Sequence, residues 1–257
     1  MKKYYFISGF HRSGSTLLAG ILNQNPKFHA SMSTNLNFLF GDIQFSYNNE
    51  SRSLVGLTNN TAMNVYSKIL EGYYQHIEKE VVFDTNRCWP RFDTILHSMM
   101  PYTKIICCVR DIPSILNSFE YYYKFVSKKA PSFLTPEGAA NPWVRLEYWW
   151  QTLIAPNYES CEYAYTSPAL KDLYVFIDYD DFISDPDKTI GDLYLKLELD
   201  YYQHDFNNIS YSFDSIDERA SNEGLHTVKT KVGKTDTKWV LPRSVVERYT
   251  RRCFWRE

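Results

Sequence analysis

Residues 4–18 read Tyr4-Tyr5-Phe6-Ile7-Ser8-Gly9-Phe10-His11-Arg12-Ser13-Gly14-Ser15-Thr16-Leu17-Leu18, and their pattern decides the fold. An apolar run of strand length breaks at Gly9. A polar turn follows, and then Leu17, Leu18, Ile21 and Leu22 recur at helical spacing. Strand, loop and helix in this order gather backbone N–H groups at the positive end of the helix, where a phosphate or sulfate is held without any side chain being required. The stretch is expected to be an anion cradle, and Pro26 stops the helix behind it.

From Gly9 to Gly14 and on to Ser15-Thr16, the spacing is nearly that of the nucleotide-triphosphate loop, Gly-x4-Gly-Lys-Ser/Thr. The lysine position holds Ser15, and the cation stands earlier, as Arg12. Without that lysine, ATP chemistry is disfavoured. A sulfonyl donor carries less charge on the transferred group, and fixed N–H donors with one arginine can serve it without a metal. Phe6 to Leu18, continued by Gln24-Asn25-Pro26, resembles the 5′-phosphosulfate loop of the sulfotransferases that use 3′-phosphoadenosine-5′-phosphosulfate (PAPS), closest to bacterial and phage-type members. The resemblance implies an α/β fold of three layers, α/β/α, with a central mostly parallel sheet of the P-loop-NTPase-like sulfotransferase type. It also implies PAPS as co-substrate, no metal, and Arg12 with the N–H groups of Ser13, Gly14, Ser15, Thr16 and Leu17 around the 5′ end of the donor.

At 257 residues the chain matches one large α/β domain, 1–257, given roughly 100–200 residues per domain. Its formal charge of −2 supplies no basic field to steer it toward nucleic acid or an anionic membrane, so any anion site must be local. Five cysteines, two of them adjacent as Cys107-Cys108, give neither a disulfide framework nor zinc spacing. A reducing, cytoplasmic setting is expected. The apolar run after Met1-Lys2-Lys3 ends at His11-Arg12 with no small-residue cleavage site, so it reads as a strand and not as a signal peptide. No stretch approaches the ~20 apolar residues of a membrane span.

Residues 28–60 carry Phe38, Phe40 and Phe45 without a firm period and read as an irregular lid or short helices. Val65, Ile69, Tyr73 and Ile77 predict an amphipathic helix over 60–79. Val81-Val82-Phe83 is a short strand leading to Asp84-Thr85-Asn86-Arg87, and ligands of open parallel sheets collect beyond such strand ends. Lys104 to Val109 is a buried strand, followed by Arg110 and by Asp111 as the cap of a helix with Pro113 in its first turn. Ser118 returns to the face of Asp111 two turns later, so Arg110 and Ser118 can converge on one anion. The helix is aromatic through Tyr121–Phe125, and Trp149 and Trp150 lie in a later helix, either as core or as acceptor walls. Leu173 to Ile177 is a further strand, leading to Asp178-Tyr179, with Asp185-Pro186 opening another helix.

By the same resemblance, Arg110 and Ser118 clamp the donor 3′-phosphate, Tyr179 contacts its nucleotide, and the loop with Lys229 and Lys231 folds over it. Catalysis falls to Arg12, with Arg87 as a second cation. The base is open among Asp84, His29 and His11, with Asp84 favoured for its strand-end position. The acceptor is a small molecule, carbohydrate or peptide bearing a hydroxyl or amine, with no nucleic acid partner. A small-molecule kinase, for which Asp178 would mimic the metal-binding aspartate, and a noncatalytic nucleotide-binding protein are the alternatives. Oligomeric state is not indicated.

Overall fold

The computed structural model describes residues 2–48, 59–127, 135–210, 230–234, 238–250 and 252–256. Five strands form one sheet in the order β2-β3-β1-β4-β5: β1 Lys3–Gly9, β2 Phe28–Ala30, β3 Val81–Thr85, β4 Ile105–Val109 and β5 Tyr174–Asp178. All neighbours are parallel; β1 is central, with Ile7 opposite Thr85 of β3 and Gly9 opposite Cys108 of β4. Four of these strands follow the apolar runs. The fifth, β2, has three residues, too few to show a period, and lies in the segment read as a lid.

The helices are α1 Ser15–Leu22, α2 Leu36–Asn48, α3 Asn59–Tyr73, α4 Asp93–Met99, α5 Ile112–Tyr121, α6 Pro136–Ala140, α7 Pro142–Tyr148, α8 Ala155–Thr166, α9 Tyr179–Ser184, α10 Pro186–Lys196 and α11 Arg243–Tyr249. Successive strand residues face opposite sides, so the sheet has two cores. Tyr4, Phe6, Val82, Ile105 and Cys107 pack with residues of α2, α3, α4, α5 and α8 on one face. Tyr5, Ile7, Phe83, Ile106 and Cys108 pack with α1 and α10 on the other. The result is the expected three-layer arrangement. Each large apolar side chain so buried contributes about 1.5–3 kcal/mol.

Helix α3 departs from expectation by one position. Its buried stripe is Ala62, Tyr66 and Leu70, continued by Tyr74, while Tyr73 is exposed and Val65 and Ile69 are half-buried. The Tyr74 hydroxyl donates to the buried carboxylate of Asp84, a polar contact that hydrophobic spacing does not register. Trp149 and Trp150 are core residues. They sit in a π-helical turn, Trp149–Ile154, between α7 and α8, with Trp149 stacked on Phe119 at 5.6 Å. All five cysteines are free, and burial pushes the Cys107 thiol well up.

Candidate active site

The β1–α1 loop is built by two glycines and one strained arginine. Gly9 has φ +104°, and a Cβ there would lie 2.0 Å from the Cys108 carbonyl oxygen, so only glycine lets the loop leave the sheet beside β4. Gly14, with φ +93°, caps α1 without a side-chain bond, and its own carbonyl accepts from Leu18 N–H at 2.9 Å. The N–H groups of Ser15, Thr16 and Leu17 therefore stand at the helix start without intrahelical acceptors, as the first turn of any helix leaves them. The Ser13 hydroxyl lies within bonding reach of the Phe10 and Cys108 carbonyls, at 2.6 and 2.8 Å, and pins the turn to β4. Arg12 is held at φ +61°, a left-handed conformation that costs a non-glycine residue about 1–2 kcal/mol and concentrates at functional sites.

Three distant residues close on this loop. Arg110, just beyond β4, donates through Nη1 to the Arg12 carbonyl at 3.1 Å, and its guanidinium carbon lies 4.2 Å from the centre of the Tyr179 ring. Tyr179 also packs against Gly14, since a Cβ at that glycine would come within 2.9 Å of it. Ser118, expected to converge with Arg110 on one anion, accepts from Arg12 Nε at 3.0 Å. The two expected anion sites are thus joined through Arg12. The Asp111 cap is as expected, accepting from Ser114 N–H at 2.9 Å. Asn117, which sequence reasoning missed, is buried beside Ser118 and grips the chain at Lys238 O and Val240 N–H, setting the exposed Trp239 near this end of the site. Its only signal is a polar residue next to Ser118 on the helix that starts beyond β4.

The end of β3 differs most from expectation. Asp84 is 1% exposed, and its carboxylate accepts from Thr34 Oγ1 at 2.7 and 2.9 Å, from Tyr74 at 2.5 Å and from Trp89 Nε1 at 2.8 Å. A carboxylate so enclosed is cut off from an acceptor in the cleft, and its three donors give it a structural role. It anchors the 31–34 loop and the 3₁₀ turn Trp89–Phe92 to the sheet. Burial outweighs its three donors and raises its pKa from 3.8 to about 6. The sign of the linkage follows. The folded protein binds this proton more tightly than the unfolded chain, so the group's stabilisation is complete below about pH 4 and is lost as pH rises through about 6. At about 1.4 kcal/mol per unit, wild-type protein is expected to lose about 3 kcal/mol relative to Asp84→Asn between those limits, as read from urea midpoints across that range.

His29 lies at the wrong end of the sheet. It pairs in register with Val82, near the start of β3, and Lys2 and Lys79 are among the charges that, after burial, lower its pKa. Asn86 is likewise structural, donating to Thr34 O and Asn37 Oδ1 and accepting from Cys88 N–H. His11, half-buried, lines a cavity of about 270 Å³ together with Arg87 and Ser33, which itself has φ +44°. Lys231 is exposed, between Thr230 and Val232, whose backbones pair with Ile209 and Phe206. Lys229 lies outside the described residues. Asp178 caps α9 and accepts from Arg256 Nε at 2.5 Å and Trp255 Nε1 at 2.7 Å. Against the upward push of burial, these partners hold its carboxyl below the ordinary range. The mimic of a metal-binding aspartate is therefore engaged by the chain's own C-terminal arginine.

A parallel α/β sheet with an amide-lined loop after its central strand and arginines beyond neighbouring strand ends defines an anion-binding α/β protein of the P-loop type. The chain belongs to the sulfotransferase family, whose profile matches residues 5–203, and is accordingly a transferase. Its fold is similar to a sulfotransferase from Alicyclobacillus acidocaldarius, with TM-score 0.53 and 16% identity over 86% of this chain and 90% of that one. It is also similar to the sulfotransferase STF9 from Mycobacterium avium, with TM-score 0.51 and 11% identity over 96% and 75%. A retinol dehydratase in a complex with retinol and PAP gives TM-score 0.50 and 11% identity over 98% and 80%. No curated protein sequence matches the chain significantly. No described helix is long and apolar enough to cross a membrane.

Proposed function

We propose that this sulfotransferase moves the sulfonyl group of PAPS to a hydroxyl or amine acceptor, with residues 1–257 acting as one catalytic domain in the reducing cytoplasm. The observation that carries the donor assignment is the linked set Arg12–Ser118 and Arg110–Tyr179–Gly14, which joins the helix-start amides to a second arginine. In our assignment the N–H groups of Ser13 to Leu17 receive the 5′ end of the donor. Arg110, whose Nε is buried with no hydrogen-bond partner among the described residues, receives the 3′-phosphate with Ser118. The nucleotide rests against Tyr179, with Lys231 as a further cation for the donor.

On the other side of β1 lies the cavity at the end of β3, and we assign it to the acceptor. The acceptor oxygen attacks sulfur in line as the sulfur–oxygen bond to the 5′-phosphate breaks. Arg12 neutralises the charge that develops on the leaving phosphate oxygen. The acceptor proton passes to the His11 imidazole, the base candidate that lines this cavity, and Arg87 faces the sulfonyl oxygens from the β3 side.

Replacing Arg110 with Gln is expected to weaken binding of 3′,5′-phosphoadenosine about 10–150-fold, the worth of one charge-assisted contact. Affinity for adenosine 5′-phosphate, which lacks the 3′ group, should be unchanged. Titration calorimetry reads both, and an equal loss for the two ligands would remove Arg110 from the 3′ site. Transfer itself is tested with radiolabelled PAPS against fractionated cell extracts. A labelled acceptor supports the enzyme, whereas bisphosphate binding without any transfer supports a noncatalytic nucleotide-binding protein.

A further inference from the structure

The acceptor cavity has an unbalanced charge. Two arginines line it, Arg87 and Arg91, along with His11, Ser33 and Asn157, and no carboxylate does. Four other guanidinium groups are matched by carboxylates: Arg145 pairs with Glu120, Arg243 with Glu247, Arg248 with Glu147 and Arg256 with Asp178, while Arg252 lies over the rings of Trp150, Tyr158 and Tyr249. Among the described residues neither Arg87 nor Arg91 has an ion pair, and Arg87 Nε is buried without a hydrogen-bond partner. Burial and the nearby Arg12 pull the Arg87 pKa down to about 10, a cost that an anion in the cavity would offset. Arg91 sits at the rim, on the 3₁₀ turn that Trp89 anchors to Asp84. The two cations thus stand at different depths along one wall, the inner one beside the reacting arginine and the outer one at the entrance.

We propose that the acceptor is itself an anion, presenting a carboxylate, sulfate or phosphate ester to Arg91 while its hydroxyl faces His11 and Arg12, and Arg87 stays with the donor sulfonyl oxygens. This rests on the assignment of the cavity to the acceptor. Arg87 finds a counter-charge in the donor sulfonyl group assigned to it above, whereas a neutral phenol or alcohol would leave Arg91 at the entrance without one, and a cationic amine would be repelled. The cavity's volume suits one ring with its substituents, so the anionic group and the reacting hydroxyl belong to the same or adjacent rings.

The test uses the whole protein saturated with 3′,5′-phosphoadenosine and, as probes, benzoate, phenyl sulfate, phenyl phosphate and the isosteric neutral benzamide, followed by NMR titration. Benzoate is expected to bind about tenfold tighter than benzamide, the low end for charge-assisted contacts because Arg91 is exposed. Arg91→Gln should abolish that preference while leaving bisphosphate affinity intact, and the ester probes show which acid is preferred. Equal binding of benzoate and benzamide to wild-type protein, or a preference that survives in Arg91→Gln, would overturn the proposal. Failure of the bisphosphate to bind would instead count against the donor assignment. The benzoate and benzamide comparison on unliganded protein would then still decide the charge preference.

Discussion

Arg12→Ala is expected to lower kcat about 10²–10³-fold, the typical cost of one preorganised donor to a developing oxyanion. The affinity for 3′,5′-phosphoadenosine should fall far less, because the helix-start amides and Arg110 remain. Arg12 already occupies a left-handed backbone conformation, and alanine pays a similar strain there, so the fold should persist. Single-turnover kinetics with PAPS separates the two effects. A lower kcat with nearly constant donor affinity places Arg12 on the transition state, whereas parallel losses would make it a ground-state contact. Ser118→Ala serves as an internal control. It frees Arg12 Nε from its bond at 3.0 Å without removing the charge, so its effect should be a fraction of that of Arg12→Ala.

His11→Gln is expected to cost about 10²–10⁴ in kcat/KM, the range of a positioned general base. A loss below tenfold would mean that the acceptor ionises without help. The same substitution at His29 should leave the rate unchanged, since that residue lies at the opposite end of the sheet.

The fold was legible because it rests on apolar runs whose period and length are local properties. Strands β1, β3, β4 and β5 and the loop between Gly9 and Gly14 lie where residues 4–18, 81–83, 104–109 and 173–177 indicated. Arg12, Arg110, Ser118 and Tyr179 could be nominated for the same reason, as polar residues just past strand ends or on a helix that starts there. Less legible are the partners these side chains take within the protein, which are set by rotamers and by distant segments. Asp84 had the right strand position, but alternation turned it into the face holding Tyr74 and Trp89, where three donors enclose it. Its occupation is invisible without knowing that α3 is turned by one residue. Ser118 faces the loop side of α5, where Arg12 Nε donates to it. Asp178 looked free until Arg256, 78 positions later, folded onto it.

Titration calorimetry with 3′,5′-phosphoadenosine and with ATP–Mg²⁺ tests the central claim most directly. A 3′-phosphate clamp and a loop without its lysine predict micromolar binding of the bisphosphate, at least tenfold tighter than ATP–Mg²⁺ by the worth of one charged contact, about 1.5–3 kcal/mol. Binding of ATP–Mg²⁺ with no measurable affinity for the bisphosphate would contradict the account.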